Sequence, residues 1–356
     1  ATKLTGEKRN FIIDGDFTQW PEGTAARTFV NNKYLSALWK TKISYDGTNT
    51  GERSTDVPTL AESGNESTHS LLIKCTGIDA SIGAGQRFEC RYTVTGTDLR
   101  QLMGQEVTFS FWAKTAANNS GDTYAVGFHN TSRDRSYVTE FTPTSSWTQF
   151  TKTVTLTDTG SWNFDEASDG GLLIHLSLVA GSDYHTTADT WQSTQEYGTS
   201  STSNFMASTS NEFYLSQVGL YLGSTAPTFT SPPIATVQDQ VEYYVEVQGS
   251  GANNNTPLHA GQAESTTGGR VVFKYRTAKR SVPSSVSTDS TTGSDWSVRG
   301  GSSLQTACNA LPVFGSIGFE SCRLVFATAG SLVAGEALYF FNTTTNDQRI
   351  IIDSRH

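Results

Sequence analysis

A two-residue alternation of apolar and polar side chains, repeated along most of the chain, restricts its fold more than any other feature. Between Val107 and Lys114 every second residue is apolar, and Thr, Ser, Trp and Lys fill the positions between them. Successive side chains of a β-strand point to opposite faces of a sheet, so this period predicts strands with one buried face. Helical periodicity is confined to one short candidate at 97–104, which Gly104 would end.

The alternation assigns inward-facing residues to several strands. The predicted inner faces are Val107, Phe109, Phe111 and Ala113; Leu172, Ile174, Leu176 and Leu178; and Val241, Tyr243, Val245 and Val247. Later strands are predicted at 270–276, 323–327, 337–342 and 348–353. Many short strands with polar turns, and no regular alternation of helices with strands, predict an all-β protein made of β-sandwiches.

A proline-rich stretch divides the 356 residues, which are enough for two hydrophobic cores. Pro227, Pro232 and Pro233 lie in it, and proline cannot donate to a β-ladder. We predict a first domain at 1–222, a linker at 223–236 and a smaller C-terminal β-sandwich at 237–356. A Ser/Thr-rich stretch at 186–211 is too long for an ordinary turn, and segments of this length are typically functional or in contact with a neighbouring subunit.

The charge of the chain excludes several classes of partner. Only 17% of the residues are charged, against about 25% in average globular domains, and the net charge is −9. Nucleic-acid binding needs a clustered basic field, which no run of the sequence provides, so no nucleic-acid partner is expected. No stretch approaches the roughly 20 apolar residues that span a bilayer, so no membrane insertion is expected.

The four cysteines fall into two local pairs, Cys75 with Cys90 and Cys308 with Cys322. The chain has no Cys-x-x-Cys, which argues against a zinc site. Each pair could join neighbouring strands as a disulfide, or all four could be buried free thiols, which assembly in a reducing cytoplasm favours. The sequence leaves both alternatives open.

The first ten residues, Ala1 to Asn10, contain no apolar signal-peptide core, whereas the polar, weakly charged composition suits an extracellular β-protein. A virion protein reconciles these observations, because it is assembled in the host cytoplasm and exposed on particles released by lysis. We therefore expect the protein on a virion. A gene start encoding a signal peptide would instead indicate a secreted bacterial adhesin.

Four segments of the first domain, in order, resemble a family of bacteriophage tail-fibre and virion proteins. They are the opening NFIIDGDFTQWPEGT at 10–24, QRFE at 86–89 followed by 99–114 with its SFWAK, WTQFT at 147–151, and the closing run at 213–229. The pair Tyr243–Tyr244 stands where the family carries two tyrosines. The resemblance implies a jelly-roll β-sandwich similar to carbohydrate-binding modules, followed by a second β-sandwich.

The same resemblance directs attention to metal and sugar sites. Jelly-roll carbohydrate modules hold a structural calcium near the opening turn, where Asp14 and Asp16 flank Gly15, but Gln217 stands where the family has its usual Asp. No other cofactor is expected. Sugars stack on flat aromatic rings, so the candidate contacts are an outward-facing Trp on a strand and three aromatics in or beside loops. These four candidates are Trp112, Trp162, Tyr184 and Trp191, with subunit contact or local packing as the alternative role.

The expected function follows from these observations. The chain contains no Gly-x-Ser-x-Gly, His-Glu-x-x-His or phosphate-loop motif, so no enzymatic activity is expected. The resemblance implies a structural protein of the virion, either a capsid decoration or head fibre or a short tail fibre, with host-surface glycans as a further ligand. Other virion proteins and two more copies of the chain, in a homotrimer, are the expected partners. A polysaccharide-degrading tail enzyme, or its accessory module, is the alternative.

Overall fold

The computed structural model describes residues 8–166, 170–249, 257–301, 305–343 and 348–355. The chain forms two compact units, Ala1–Val237 and Gln238–Arg355. Within the described ranges, no helix combines the length and the apolar character needed to cross a bilayer. The sequence-based limits of the two domains and the linker stay predictions.

The first unit consists of two six-stranded antiparallel sheets. Its strands are β1 (Arg27–Thr28), β2 (Trp39–Ile43), β3 (Thr48–Ser54), β4 (Ser70–Gly77), β5 (Arg87–Val94), β6 (Glu106–Thr115), β7 (Tyr124–Asn130), β8 (Ser136–Phe141), β9 (Thr148–Thr155), β10 (Leu172–Ala180), β11 (Trp191–Gln192) and β12 (Glu212–Leu222). Sheet A has the order β1-β3-β4-β12-β6-β9, and sheet B has the order β11-β8-β7-β10-β5-β2. Two short helices, α1 (Leu60–Ser63) and α2 (Gly96–Leu102), lie in the connections.

Alternate residues of the facing strands form the core of this unit. Phe109 and Phe111 of β6 and Ile174 and Leu176 of β10 have no exposed surface, and burying a side chain of this size contributes about 1.5–3 kcal/mol. The inner faces predicted for 107–113 and 172–178 are therefore confirmed. The predicted short helix also exists as α2, and Thr95 caps it by accepting the Asp98 N–H.

The second unit has a seven-stranded and a three-stranded antiparallel sheet. Its strands are β13 (Val245–Gln248), β14 (Pro257–Ser265), β15 (Gly268–Lys274), β16 (Ser285–Thr288), β17 (Trp296–Gly300), β18 (Gln305–Ala307), β19 (Val313–Gly315), β20 (Ser321–Ala327), β21 (Ala337–Asn342) and β22 (Ile350–Asp353). The orders are β18-β17-β21-β14-β15-β20-β19 and β13-β22-β16. Phe273, Trp296 and Phe340 anchor one buried cluster. The predicted fold class, an all-β jelly-roll sandwich followed by a smaller β-sandwich, is confirmed.

One predicted strand is wrong in its first half. Residues 241–244 do not begin a strand, because helix α3 (Ile234–Glu242) runs into that segment and β13 starts only at Val245. The helix begins directly after Pro233, whose carbonyl accepts the Val237 N–H. Val237 and Val241, four residues apart, are both buried, so the apolar spacing here is helical, although the shorter 241–247 run also fits a period of two.

The cysteines are four buried free thiols. Burial raises the pKa of Cys308 to about 12 and raises the pKa of the other three thiols as well. A thiol held protonated is a poor nucleophile and a poor metal ligand. Of the two alternatives that the sequence leaves open, the structure has the free thiols.

Candidate functional site

The four aromatic residues predicted to contact sugar lie in three separate places. Trp112 is on β6 of sheet A and points away from the core, as predicted, together with Ser110 and Lys114. Only 9% of the Trp112 surface is exposed, however, so little of the ring is available to a ligand. Sugar contact by Trp112 stays a prediction.

Trp162 and Trp191 come together at one edge of the sandwich. Their ring centroids are 6.1 Å apart with the planes nearly perpendicular, and Tyr137 packs 5.5 Å from Trp191. The Trp191 indole N–H donates to the Thr155 carbonyl at 3.0 Å, which links β11 of sheet B to β9 of sheet A. Both rings are half-buried, and this arrangement closes the open edge of the sandwich.

The turn at Asp14 and Asp16 is buried, and Asp14 is fully engaged in holding it. The Asp14 carboxylate accepts the Thr18 hydroxyl and N–H at 2.7 Å and the Gln19 N–H at 3.0 Å. Asp16 is also buried and has one oxygen without a hydrogen-bond partner, as does Gln217. A calcium ion needs several free oxygen ligands, and among the described residues no group of three or more His, Cys, Asp or Glu could hold a metal. Asp14 is thus engaged within the turn, Asp16 and Gln217 each keep a free oxygen, and calcium binding at Asp14 and Asp16 stays a prediction of the sequence.

Replacing Asp14 with Asn is expected to make the protein more stable at pH 8 and to leave its stability nearly unchanged at pH 4. Burial raises the pKa of Asp14 to about 7, above its value of about 3.9 in an unfolded chain. A raised acid pKa adds stability that is fully present below about pH 4 and is lost as pH rises through 7. Asn keeps an acceptor oxygen, tolerates the φ of 56° found at this position and does not ionise. Urea denaturation between pH 4 and pH 8 measures the difference, and parallel curves for the two proteins would contradict this assignment.

The side of sheet B that faces away from the core carries an unusual set of polar residues, and we call it the polar face. On β5 the core receives Phe88, Cys90 and Tyr92, so the alternate residues Arg87, Glu89 and Arg91 lie on the polar face. The strand registers place the remaining members beside them on β2, β7 and β10. These members are Lys40, Lys42, His129, His175 and Ser177.

Arg87 and Glu89 form the centre of the polar face. The Glu89 side chain is 2% exposed, and its carboxylate accepts the Arg87 guanidinium at 2.7 Å. Burial raises the pKa of Glu89, and the hydrogen bond from Arg87 offsets only part of that effect. Arg87 also donates to the Tyr184 hydroxyl at 2.7 Å and lies over the rings of Tyr184 and Tyr197. Tyr184, a predicted sugar contact, thus belongs to the packing that attaches its loop to the sheet.

Two buried histidines lie next to this centre. The rings of His129 and His175 are 4.5 Å apart, and Tyr197 stacks on His129 at 4.9 Å. The His175 ring occupies the space where a side chain at Gly127 would be, only 2.0 Å from the position of a Cβ atom. Burial lowers the pKa of His129 to about 3 and that of His175 well below its usual range, so both rings are neutral. The Nε2 atom of each ring has no hydrogen-bond partner in the described part of the chain.

The segment after β10 crosses the polar face and forms a depression with it. Thr186 donates its N–H to the Gly198 carbonyl, which holds the two sides of the segment together. The depression has a volume of about 620 Å³. Its walls are mostly hydroxyl-bearing, with one carboxylate and one carboxamide from the sheet. We call it the loop depression; it is lined by Glu140, His185, Thr186, Thr187, Ala188, Gln192, Thr199, Ser200 and Ser201.

The sequence indicates the segment at 186–211 as functional, but it does not indicate the polar face of sheet B that this segment crosses. The signal was present in β5, because Arg87, Glu89 and Arg91 place three charges at a spacing of two residues on one side of a strand. When one side of a strand is apolar and the other carries several charges, the charged side is expected to form ion pairs or a functional surface. His175 was visible only as a polar residue between Ile174 and Leu176, and its partner His129 is distant in sequence.

No family model and no curated protein matches the sequence. Among solved structures, the chain is similar to the tailspike protein 4 enzymatically active domain of bacteriophage CBA120, at 10% identity and a TM-score of 0.29, over 60% of this chain and 21% of that one.

Two other similar structures are covered over almost their whole length. A carbohydrate-binding module solved with β-1,4-galactotriose has 11% identity and a TM-score of 0.30, over 60% of this chain and 99% of its own. A xylan-binding domain from Paenibacillus barcinonensis has 11% identity and a TM-score of 0.28, over 62% and 98%. All these TM-scores lie below 0.5, so we place no functional weight on the likenesses.

Proposed function

We propose that the first unit is a glycan-binding module and that the loop depression on the polar face is its binding site. The loop depression itself is the observation that carries this proposal. Its volume of about 620 Å³ lies within the range of about 300–1,000 Å³ that is usual for small-ligand sites. Five hydroxyl side chains, the Gln192 amide and the Glu140 carboxylate line it, and such groups match the alternating donors and acceptors of a sugar.

The proposed role is binding without cleavage. Hydrolysis of a glycosidic bond uses two carboxyl groups, one as acid and one as base or nucleophile. The two carboxylates described on the polar face are both engaged, since Glu89 pairs with Arg87 and Glu140 accepts the Thr199 hydroxyl. Release of reducing sugar ends from a bound polysaccharide would contradict this part of the proposal and favour a degrading tail enzyme.

We further propose that the protein is part of a phage virion, as a capsid decoration or head fibre or as a short tail fibre. The order of motifs in the first domain supports this assignment. A homotrimer is the proposed assembly, because association covers exposed sheet edges. Labelling of particles with an antibody against the chain tests the location: signal on the capsid or the tail supports the proposal, and unlabelled particles contradict it.

Replacing Gln192 with Ala is expected to weaken binding to the best ligand on a glycan array by about tenfold, without unfolding the protein. The Gln192 side chain lines the loop depression, and losing one well-placed hydrogen bond to a ligand costs about 0.5–1.5 kcal/mol, with more if a sugar hydroxyl is left unpaired. Gln149 on sheet A provides the matched control, because it is exposed and lies on the other sheet. Equal binding by the Gln192→Ala and Gln149→Ala proteins would place the glycan elsewhere.

A further inference from the structure

The part of the polar face nearest β2 collects positive charge that the sequence does not show as a cluster. Lys42 pairs in register with Glu89, and Arg91 pairs with both Lys40 and His175. Arg133 is in the turn between β7 and β8, where its φ of 61° is left-handed. Lys42, Arg91 and Arg133 come from positions up to 91 residues apart, so only folding brings them together.

These three cations lack partners. In the residues that the structure describes, the side chains of Lys42, Arg91 and Arg133 form no ion pair and no hydrogen bond. The Arg91 Nε atom is buried and has no acceptor. A guanidinium that has no partner in the chain leaves its accessible N–H donors free to bind a ligand.

Arg91 and Arg133 both act electrostatically on Lys42, so the three cations share one neighbourhood. Burial lowers the pKa of Lys42, and the charges of Arg91, Arg133 and Arg87 lower it further. The same three guanidinium groups also act on His129 and on Glu89. Glu89 is the acidic group that opposes them, and Arg87 already neutralises it. Three cations without a carboxylate partner, two on the polar face and one in the adjoining turn, contrast with the net charge of −9 of the whole chain.

We propose that the ligand of the polar face is an acidic polysaccharide, whose carboxylate or sulfate groups bind Lys42, Arg91 and Arg133 while the adjoining sugar hydroxyls enter the loop depression. This inference rests on the proposed glycan-binding function and names the class of glycan. Guanidinium groups bind carboxylate and sulfate through two parallel hydrogen bonds, which fix the orientation of the bound group. A neighbouring Lys adds positive charge without fixing an orientation.

A nucleic acid fits this surface less well than an acidic glycan. Single strands bind through aromatic rings on which bases stack, together with a charged groove that follows the backbone. The tyrosines of the polar face are not free for stacking, because Tyr197 is 2% exposed and Arg87 lies over the rings of both Tyr197 and Tyr184.

The test compares binding of the full chain to polygalacturonate, dextran sulfate, unmodified dextran and single-stranded DNA. The variant Lys42→Gln/Arg91→Gln removes two of the three cations. The control Lys274→Gln/Arg323→Gln makes the same charge change at two exposed positions on β15 and β20 of the second unit. Expected results are binding to at least one acidic polymer that weakens with salt, at least about tenfold loss in the first variant and no loss in the control.

Other outcomes separate this inference from the proposed function. Binding of polygalacturonate alone identifies carboxylate as the bound group, and binding of dextran sulfate alone identifies sulfate. Unchanged acidic-polymer binding by Lys42→Gln/Arg91→Gln, or tighter binding of DNA than of both acidic polymers, would overturn the inference. Preference for neutral glycans on an array, with loss on Gln192→Ala, would overturn it while leaving the proposed function intact. Failure to bind any glycan, acidic or neutral, would remove both.

Discussion

Replacing Arg87 with Met is expected to lower the free energy of unfolding by about 3–5 kcal/mol at pH 7, because it leaves the Glu89 carboxylate buried without its cation. The Glu89 side chain is 2% exposed and the Arg87 side chain 14%, so solvent cannot replace the lost partner. The substitution also removes the hydrogen bond to the Tyr184 hydroxyl and the contact with the Tyr197 ring. We therefore expect it to weaken glycan binding as well as stability. Urea denaturation and the array measure the two effects.

The cost of Arg87→Met should depend on pH in a defined direction. The pKa of Glu89 is already raised in the folded protein, and removal of Arg87 raises it further. A folded-state pKa above the unfolded value of about 4.3 means that stability is lost as pH rises through it, so the penalty is small at pH 4 and large at pH 7. Arg91→Met is the matched control on the same strand and face, and its expected cost is below about 1 kcal/mol. Equal costs for the two variants at pH 7 would contradict the role given to Arg87.

Replacing Lys279 with Met is expected to destabilise the second unit by a similar amount, about 3–5 kcal/mol. Lys279 and Glu246 form an ion pair at 2.6 Å, and neither side chain has exposed surface. Lys279 also donates to the Glu242 carbonyl. Without it, Glu246 keeps a charge in the core that the remaining donors do not balance. Amide hydrogen exchange of β15 and β20, measured in the full chain, should become faster as the second unit loses stability.

Lys274→Met is the control variant, because it shows whether losing an exposed lysine destabilises the second unit as much as losing Lys279. Lys274 is exposed on β15, and its substitution should change stability by no more than about 0.5 kcal/mol. The double variant Lys279→Met/Glu246→Leu should recover part of the loss, because a buried ion pair can often be replaced by apolar residues of similar volume. Exchange rates in Lys279→Met that match those of Lys274→Met would show that the buried pair contributes little.

The two buried glutamates differ because of how many donors surround them. Glu246 accepts the Lys279 ammonium, the Arg276 N–H and the Gln248 amide. Burial works to raise the pKa of Glu246, but these hydrogen bonds outweigh it and the pKa is lowered. Stability from Glu246 is consequently present above about pH 4.3 and is lost as pH falls below it, the reverse of the behaviour expected at Glu89. The donors around Glu246 thus outweigh its burial, whereas the hydrogen bond from Arg87 offsets only part of the burial of Glu89.

The alternation of apolar and polar residues predicts most of the core, because a β-sandwich buries only one side of each strand. A residue at every second position of 107–113 or 172–178 has to be apolar if one side of the strand is buried, and the sequence shows this without further information. The segment at 241–244 was misassigned because a short apolar run fits two periods. Pro233 directly before α3 and the buried pair Val237 and Val241, four residues apart, distinguish the helical period from the period of two.

The candidate site was harder to predict because its parts become neighbours only through strand pairing. The sequence indicates sugar contacts through its aromatic residues, and the structure distributes Trp112, the Trp162–Trp191 pair and Tyr184 over three places. Their contact with sugar stays a prediction. The polar face depends on registers such as Lys42 with Glu89 and His175 with Arg91, and on a segment that crosses the sheet at 186–201. Neither can be inferred from local sequence alone.

The central claim is that the polar face of sheet B, and not another surface of the first unit, binds a glycan. Its most direct test is a crystal structure of the protein with an oligosaccharide of the polymer that binds best. We predict density for the sugar across the loop depression, with an acidic group within hydrogen-bond distance of Arg91 or Lys42. Density beside Trp112 on sheet A, or at the sandwich edge against Trp162 and Trp191, would contradict the claim.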